Sequence, residues 1–161
     1  MLRLTKKLLF AIEAVVDIAY HAGDEPVRSN DISRRQGIPR RYLEQVLQQL
    51  VHHNILEGQR GPRGGYRLAR SEDKVVVGDI IRIVRQLEGT PDPLTVPEGS
   101  EIGQKVVRPI WWEMQQEMMD RFDTLTIAEL CRRADELGRP STGEESLTPP
   151  SAPPREKVKV R

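Results

Sequence analysis

Arg60-Gly61-Pro62-Arg63-Gly64-Gly65-Tyr66-Arg67-Leu68 is the stretch whose reading decides the fold. Residues 61–65 form a Gly/Pro-rich connection between two short candidate strands, 55–60 (Ile-Leu-Glu-Gly-Gln-Arg) and 66–69 (Tyr-Arg-Leu-Ala). That pattern predicts a β-hairpin. Arginine stands at its base, Arg60, and at its tip, Arg63.

Immediately upstream, Tyr42/Leu43, Val46/Leu47 and Leu50/Val51 recur at helical spacing, and Ile38-Pro39 suits the turn that opens this helix, which ends near Asn54. Before it, Ser29 is placed to cap a short helix running through Ile32 to Gln36, with Gly37 as its stop. Two helices joined by a short glycine-containing turn make a helix-turn-helix, and a hairpin directly after it makes the wing of a winged helix. Still further upstream, Leu8, Ala11, Ala14/Val15, Ile18/Ala19 and Ala22 predict an amphipathic helix over residues 3–22.

Downstream of the hairpin, Ile80/Ile81, Ile83/Val84 and Leu87 predict a helix that packs back on the core. Residues 89–104, with three prolines and three glycines, read as a loop. A long helix is predicted over 106–123, because Val107, Trp111, Met114, Met118 and Phe122 repeat at steps of four, three, four and four. A seam of that length implies pairing with a second chain. Thr126-Ile127-Ala128-Glu129 has capping-box spacing and opens a last short helix through Arg133. Beyond Gly138 the composition, rich in Pro, Ser, Thr and Glu, predicts a disordered tail. The expected organisation is a DNA-binding module at 1–88, a loop at 89–104, a helical dimerisation region at 105–137 and a tail at 138–161. The fold class is mainly α.

Charge divides unevenly along the chain. Residues 1–88 carry 15 Lys/Arg against 11 Asp/Glu, whereas residues 89–161 carry 10 against 13. Basicity gathers at Arg34, Arg35, Arg40 and Arg41 and again at Arg60, Arg63, Arg67 and Arg70, on the two elements that a winged helix brings to DNA. A recognition helix enters the major groove by its amino-terminal end, which places Arg40 and Arg41 against phosphate or the guanine O6/N7 edge. Glu44 is placed to accept from cytosine N4 and Gln45 to pair with adenine, with Tyr42 and Gln48 beside them. The alternatives are that Tyr42 belongs to the core and that Glu44 pairs only with a neighbouring arginine. Arg60 and Arg63 suit phosphate or minor-groove contact, because the glycines between and beside them allow close backbone approach.

Other functions find less support. No nucleophile stands with a base, no carboxylates are paired, and residues 61–65 are too short and wrongly flanked for a nucleotide loop, so an enzyme is excluded. No run of roughly 20 apolar residues and no cleavable leader are present, which implies a cytoplasmic protein with no membrane partner. The single cysteine, Cys131, rules out an internal disulfide and a thiolate metal cage. It is a candidate redox switch if Arg132 and Arg133 favour its thiolate, and an inert buried thiol otherwise. His52 and His53, adjacent on a helix, face different directions and do not share a metal. Trp111 and Trp112 either belong to the interface or form an aromatic pocket.

Leu4-Thr5-Lys6, residues 31–38 (Asp-Ile-Ser-Arg-Arg-Gln-Gly-Ile), Tyr42-Leu43-Glu44-Gln45, the 60–68 segment and Val77-Gly78-Asp79-Ile80-Ile81 occur in the order and spacing of the Rrf2 family of bacterial transcriptional regulators. The sequence resembles that family from residue 3 to about 88, and again at Trp111 and at 126–130. The resemblance implies a homodimer on an inverted-repeat operator with the long helix as interface, and DNA readout by Arg41, Tyr42, Glu44 and Arg60. The candidate DNA-contacting set is then Thr5, Lys6, Ser29, Arg40, Arg41, Tyr42, Glu44, Gln45, Gln48, Arg60, Arg63, Gly64 and Gly65. Family members often carry a small polar residue where this chain has Arg41. Cluster-binding members carry three cysteines, and some a histidine, before or at the start of the long helix. Residues 89–110 contain neither, and Lys105 and Arg108 stand near where the last cysteine and the histidine would fall. No cofactor, metal or iron–sulfur cluster is therefore expected. The expected function is that of a repressor controlled by an unidentified effector or partner protein. The competing reading is a module that keeps the fold but binds DNA without a dedicated operator, or binds only protein.

Overall fold

The computed structural model describes residues 4–137 except 22, 24, 90–93 and 96–98; the expected tail at 138–161 and part of the expected loop lie outside the described residues. Helix α1 (Lys6–Tyr20) runs through the centre of the molecule and buries Leu8, Ala11, Ala14, Val15 and Ile18. It starts later than residue 3 because Thr5 caps it, its side-chain oxygen accepting from Leu8 N at 3.2 Å. Three of its inward residues are alanines at 11, 14 and 19, small enough to let α2 (Ser29–Gln36), α3 (Arg40–His52) and α6 (Ile127–Glu136) approach its backbone closely.

Ser29 is not the N-cap. Arg28 holds that position in extended backbone, without a side-chain cap bond, and Ser29 is the first helical residue. The cause lies one residue earlier, where Val27 exchanges backbone hydrogen bonds with Tyr66 at 2.9 and 2.8 Å and so keeps the chain extended up to Arg28. Gly37 ends α2 with φ at 63°, a left-handed conformation that glycine adopts without a Cβ penalty. The turn into α3 is closed by Ser33 Oγ, which donates to Ile38 O at 2.7 Å. Pro39 is the cap of α3, and the helix buries Leu43, Val46, Leu47 and Leu50. Tyr42 and Val51, read as part of the apolar stripe, are exposed.

Strands β1 (Leu56–Gln59) and β2 (Gly65–Leu68) pair antiparallel, Leu56 opposite Leu68 and Gln59 opposite Gly65. Arg60 stands just past β1. Helix α4 (Val77–Glu88) buries Ile80, Ile81, Ile83 and Val84, and Ile127 and Cys131 bring α6 into the same core.

The long helix begins earlier than residue 106. Helical backbone starts at 101, passes through a π-helical segment at Gly103–Val107 and continues as α5 (Arg108–Thr124). Pro109 accounts for the irregularity: lacking an N–H, it cannot bond the carbonyl four residues back, and one wider turn relieves the clash of its ring. Thr126 caps α6 as its spacing predicts, accepting from Glu129 N at 3.2 Å, and the helix runs three residues beyond Arg133.

One buried charge ties these elements together. The Asp17 side chain on α1 is fully buried and accepts from Arg35 Nε at 2.9 Å, Arg35 Nη2 at 2.7 Å and Gln36 Nε2 at 2.8 Å. Arg35, part of the basic cluster in the sequence, is thus committed inward. Replacing Arg35 by methionine leaves Asp17 buried without its cation and should lower unfolding free energy by about 3 kcal/mol. Urea unfolding followed by circular dichroism measures this, and an unchanged midpoint contradicts it.

Candidate nucleic-acid interface

The carboxyl-terminal half of α3, through Gln48 and Val51, faces the start of α2 and the hairpin β1–β2. They enclose an open cleft of about 600 Å³ whose walls include Arg28, Ser29, Gln48, Arg60, Gly65 and Tyr66. Its polar lining suits a sugar–phosphate strand running between a groove-bound helix and a wing.

The cleft depends on two glycines. A Cβ at Gly65 would stand 2.5 Å from Val27 O, and one at Gly64 would collide with Gln59 O. Gly64 also closes the turn, its N–H bonding Gly61 O at 2.9 Å. These glycines, expected to let the wing approach DNA, are required first for the approach of the protein's own backbone.

The two basic clusters separate into paired and unpaired arginines. Arg34 bonds Asp31 at 3.2 Å, Arg35 bonds Asp17, Arg67 donates to Gly23 O at 3.3 Å, and Arg70 bonds Asp79 at 3.3 Å. Arg40 lies 3.7 Å from Glu44, and both side chains stay exposed. Arg41, Arg60 and Arg63 are exposed and make no ion pair among the described residues. Tyr42, Glu44, Gln45 and Gln48 project from α3 into solvent beside Arg41.

At the other end of the candidate set, Lys6 is exposed in the first turn of α1. The Thr5 hydroxyl is already occupied, capping α1 and donating to Glu88 Oε1 at 2.7 Å. Arg28, Asn30, Gln59 and Tyr66 line the cleft and were not singled out from the sequence. Arg28, the cation immediately before a predicted helix start, is the one a reader of the sequence had grounds to include.

Val107, the last residue of the π-helical segment, and Trp111, Met114 and Met118 on α5 are exposed, but Phe122 turns inward and packs on the core. Gln115 and Met119 are buried, so a second, inward stripe at 115, 119 and 122 mounts the helix on the protein. Beside Trp111, Met114 and Met118 lies a hollow of about 440 Å³, which Arg121 also lines. Trp112 flanks a separate hollow with Pro109 and Glu113.

Cys131 does not sit in an electropositive setting. Burial, with Glu72 and Asp135 nearby, pushes its thiol up to about 11, and the arginines expected to favour its thiolate bond Glu129 instead, Arg132 at 2.7 Å and Arg133 at 2.8 Å. These surroundings favour the buried-thiol alternative over a redox switch. His52 and His53 pack edge to face, ring centroids 5.2 Å apart. No three metal-ligating side chains converge among the described residues, and no helix there is long and apolar enough to cross a membrane.

Helix-turn-helix, arginine-bearing wing and the cleft between them define a winged-helix DNA-binding transcriptional regulator. A family model described as Rrf2, iron-dependent transcriptional regulator, matches residues 4–133, and the chain belongs to the Rrf2 family. It is 35% identical over 131 residues to the HTH-type transcriptional regulator IscR of Sodalis glossinidius, covering 80% of this chain and 78% of that protein. It is 33% identical over 138 residues to IscR of Erwinia tasmaniensis, covering 84% and 82%. Among solved structures, it is similar to T. potens IscR, with TM-score 0.69, 28% identity and coverage of 87% and 93%. It is also similar to CymR, the global cysteine regulator of B. subtilis, with TM-score 0.67, 27% identity and coverage of 83% and 98%.

At pH 7.5, far below its raised value, the Cys131 thiol is neutral and buried. Iodoacetamide should therefore label it much more slowly than it labels glutathione, and urea should abolish the difference. Labelling at the rate of glutathione in the folded protein contradicts the assignment.

Proposed function

We propose that the chain acts in the cytoplasm as a homodimeric repressor on an inverted-repeat operator, without an iron–sulfur cluster. The observation that carries this reading is that Arg41 on α3 and Arg60 and Arg63 in the wing are exposed without carboxylate partners among the described residues, while Arg34, Arg35 and Arg70 are paired. Arg41 leads α3 into the major groove, with Tyr42, Glu44, Gln45 and Gln48 along the base edges. Arg40, 3.7 Å from the Glu44 carboxylate, offers its donors to phosphate. Arg60 and Arg63 carry the wing to the backbone or minor groove, and Ser29 and Arg28 face the strand between. The exposed apolar stripe of Val107, Trp111, Met114 and Met118 supplies the surface for a second copy.

The family description names iron, and the donor set bears on it. A cluster in the family's loop needs thiolates, but residues 89–110 offer no cysteine or histidine, and the one cysteine of the chain lies on α6, buried and protonated. The residues present do not fit a cluster. Control of DNA affinity is assigned instead to an effector or partner protein.

Two variants test the DNA assignment, with a duplex recovered by the wild-type protein from random-sequence DNA as probe. Arg41→Ala should relax preference at one base position, costing about 1–3 kcal/mol on the preferred sequence. Arg60→Ala should weaken all duplexes alike and reduce the dependence on salt concentration by about one unit of slope. Identical behaviour of the two variants contradicts the assignment. Wild-type affinity equal for selected and unselected duplexes would favour the module without an operator.

Anaerobic incubation with ferrous iron and sulfide should leave the purified protein without a visible charge-transfer band. A band accompanied by stoichiometric protein-bound iron overturns the cofactor reading.

A further inference from the structure

The carboxyl end of α5 is joined to the start of α4 by an arrangement that DNA contact alone does not require. Val76, the cap of α4, provides no side-chain cap bond, and Gly78 follows in the first turn. A Cβ at Gly78 would fall on Asp123 Oδ1 and stand 2.9 Å from its Cγ. The carboxylate of α5 thus occupies the space of the missing side chain, against a helix amino terminus whose partial positive charge favours it. Asp123 Oδ1 is buried there without a hydrogen-bond partner among the described residues, while Oδ2 accepts from Arg82 Nη2. Arg82 Nη1 also donates to Asp79 at 3.4 Å, and Asp79 receives Arg70, which follows the wing strand β2, at 3.3 Å. Backbone bonds from Val77 N to Leu125 O and from Ile127 N to Val75 O, each 2.9 Å, complete the joint.

The exposed stripe of α5 lies toward its other end. Sixteen residues separate Val107 from Asp123, about 24 Å of helix. A tilt of about 10° at the joint moves the far end by about 4 Å, more than the rise of about 3.4 Å per base step. We propose that Asp123 and Arg82, seated on Gly78, are positioning residues that fix the angle of α5 against the recognition module and so determine which half-site separation the paired molecule accepts. The inference rests on the dimeric reading given above.

The test uses the full chain as wild type, Asp123→Asn and Arg82→Gln, with thermal melting to establish folding and sedimentation to establish association. The probes are the duplex selected by the wild type, the same duplex with one base pair added or removed between its halves, and a single half-site. Wild-type affinity should fall about tenfold or more on either change of spacing, whereas in the variants the three spacings should agree within about threefold. Half-site affinity and association should remain as in wild type. Variants that keep the wild-type spacing profile overturn the proposal, and so does a loss at the half-site equal to the loss at the full site, which would make the joint a support of the recognition module only. Should Asp123→Asn fail to fold, the half-exposed Arg82→Gln carries the comparison alone. A wild-type protein that is monomeric, or indifferent to spacing, refutes the dimeric reading and this proposal with it.

Discussion

The bond between Asp17 and its partners Arg35 and Gln36 is the constraint on which the rest of the architecture hangs. A carboxylate buried in a helix–helix contact is costly unless its lone pairs are met by donors of fixed geometry. Here the planar guanidinium supplies two donors and the Gln36 amide a third. Meeting that requirement fixes both the separation and the rotation of α2 against α1, and everything that follows α2 inherits the setting. The turn at Gly37 then starts α3 at a definite angle, and Val27, just before α2, bonds to Tyr66 of the wing. Recognition helix and wing are therefore positioned through the two ends of one eight-residue helix.

A division of labour among arginines follows. Those on α2, with Arg67 on β2 and Arg70 just after it, are spent on carboxylates or backbone oxygens, so the positive field on that side of the molecule arises from few residues in defined places. Uncompensated charge attracts any phosphate backbone, whereas readout of bases needs side chains whose direction is controlled.

Most of the fold was legible in the sequence. Residues 61–65 announce a turn through glycine and proline, and the apolar periods on α1, α3 and α4 locate the core, because these signals are local. What escaped depends on contacts across the chain. Asp17 on an amphipathic helix reads as solvated until Arg35, eighteen residues on, is found beside it. Ser29 has the chemistry of an N-cap, but a hydrogen bond to distant Tyr66 moves the cap to Arg28. On α5, Gln115 interrupts the inward stripe, so Phe122 reads as part of the outward one, and Pro109 conceals that the helix begins before it. Of the site, the arginines of α3 and the wing were legible as a class. Which of them remain unpaired was not, since that depends on acidic residues contributed by other elements. Thr5 and Cys131 illustrate the same limit: the one is engaged by Glu88, and the other is surrounded by apolar packing and acidic neighbours.

The outward face of α3 has a consequence beyond recognition. Arg41, Tyr42, Glu44, Gln45 and Gln48 contribute nothing to the buried stripe of Leu43, Val46, Leu47 and Leu50, so mutational drift on one face is nearly decoupled from thermodynamic stability on the other. Such a scaffold is evolvable: duplicated copies are free to diverge toward new regulons by changing four or five surface side chains, with no repacking of the interior.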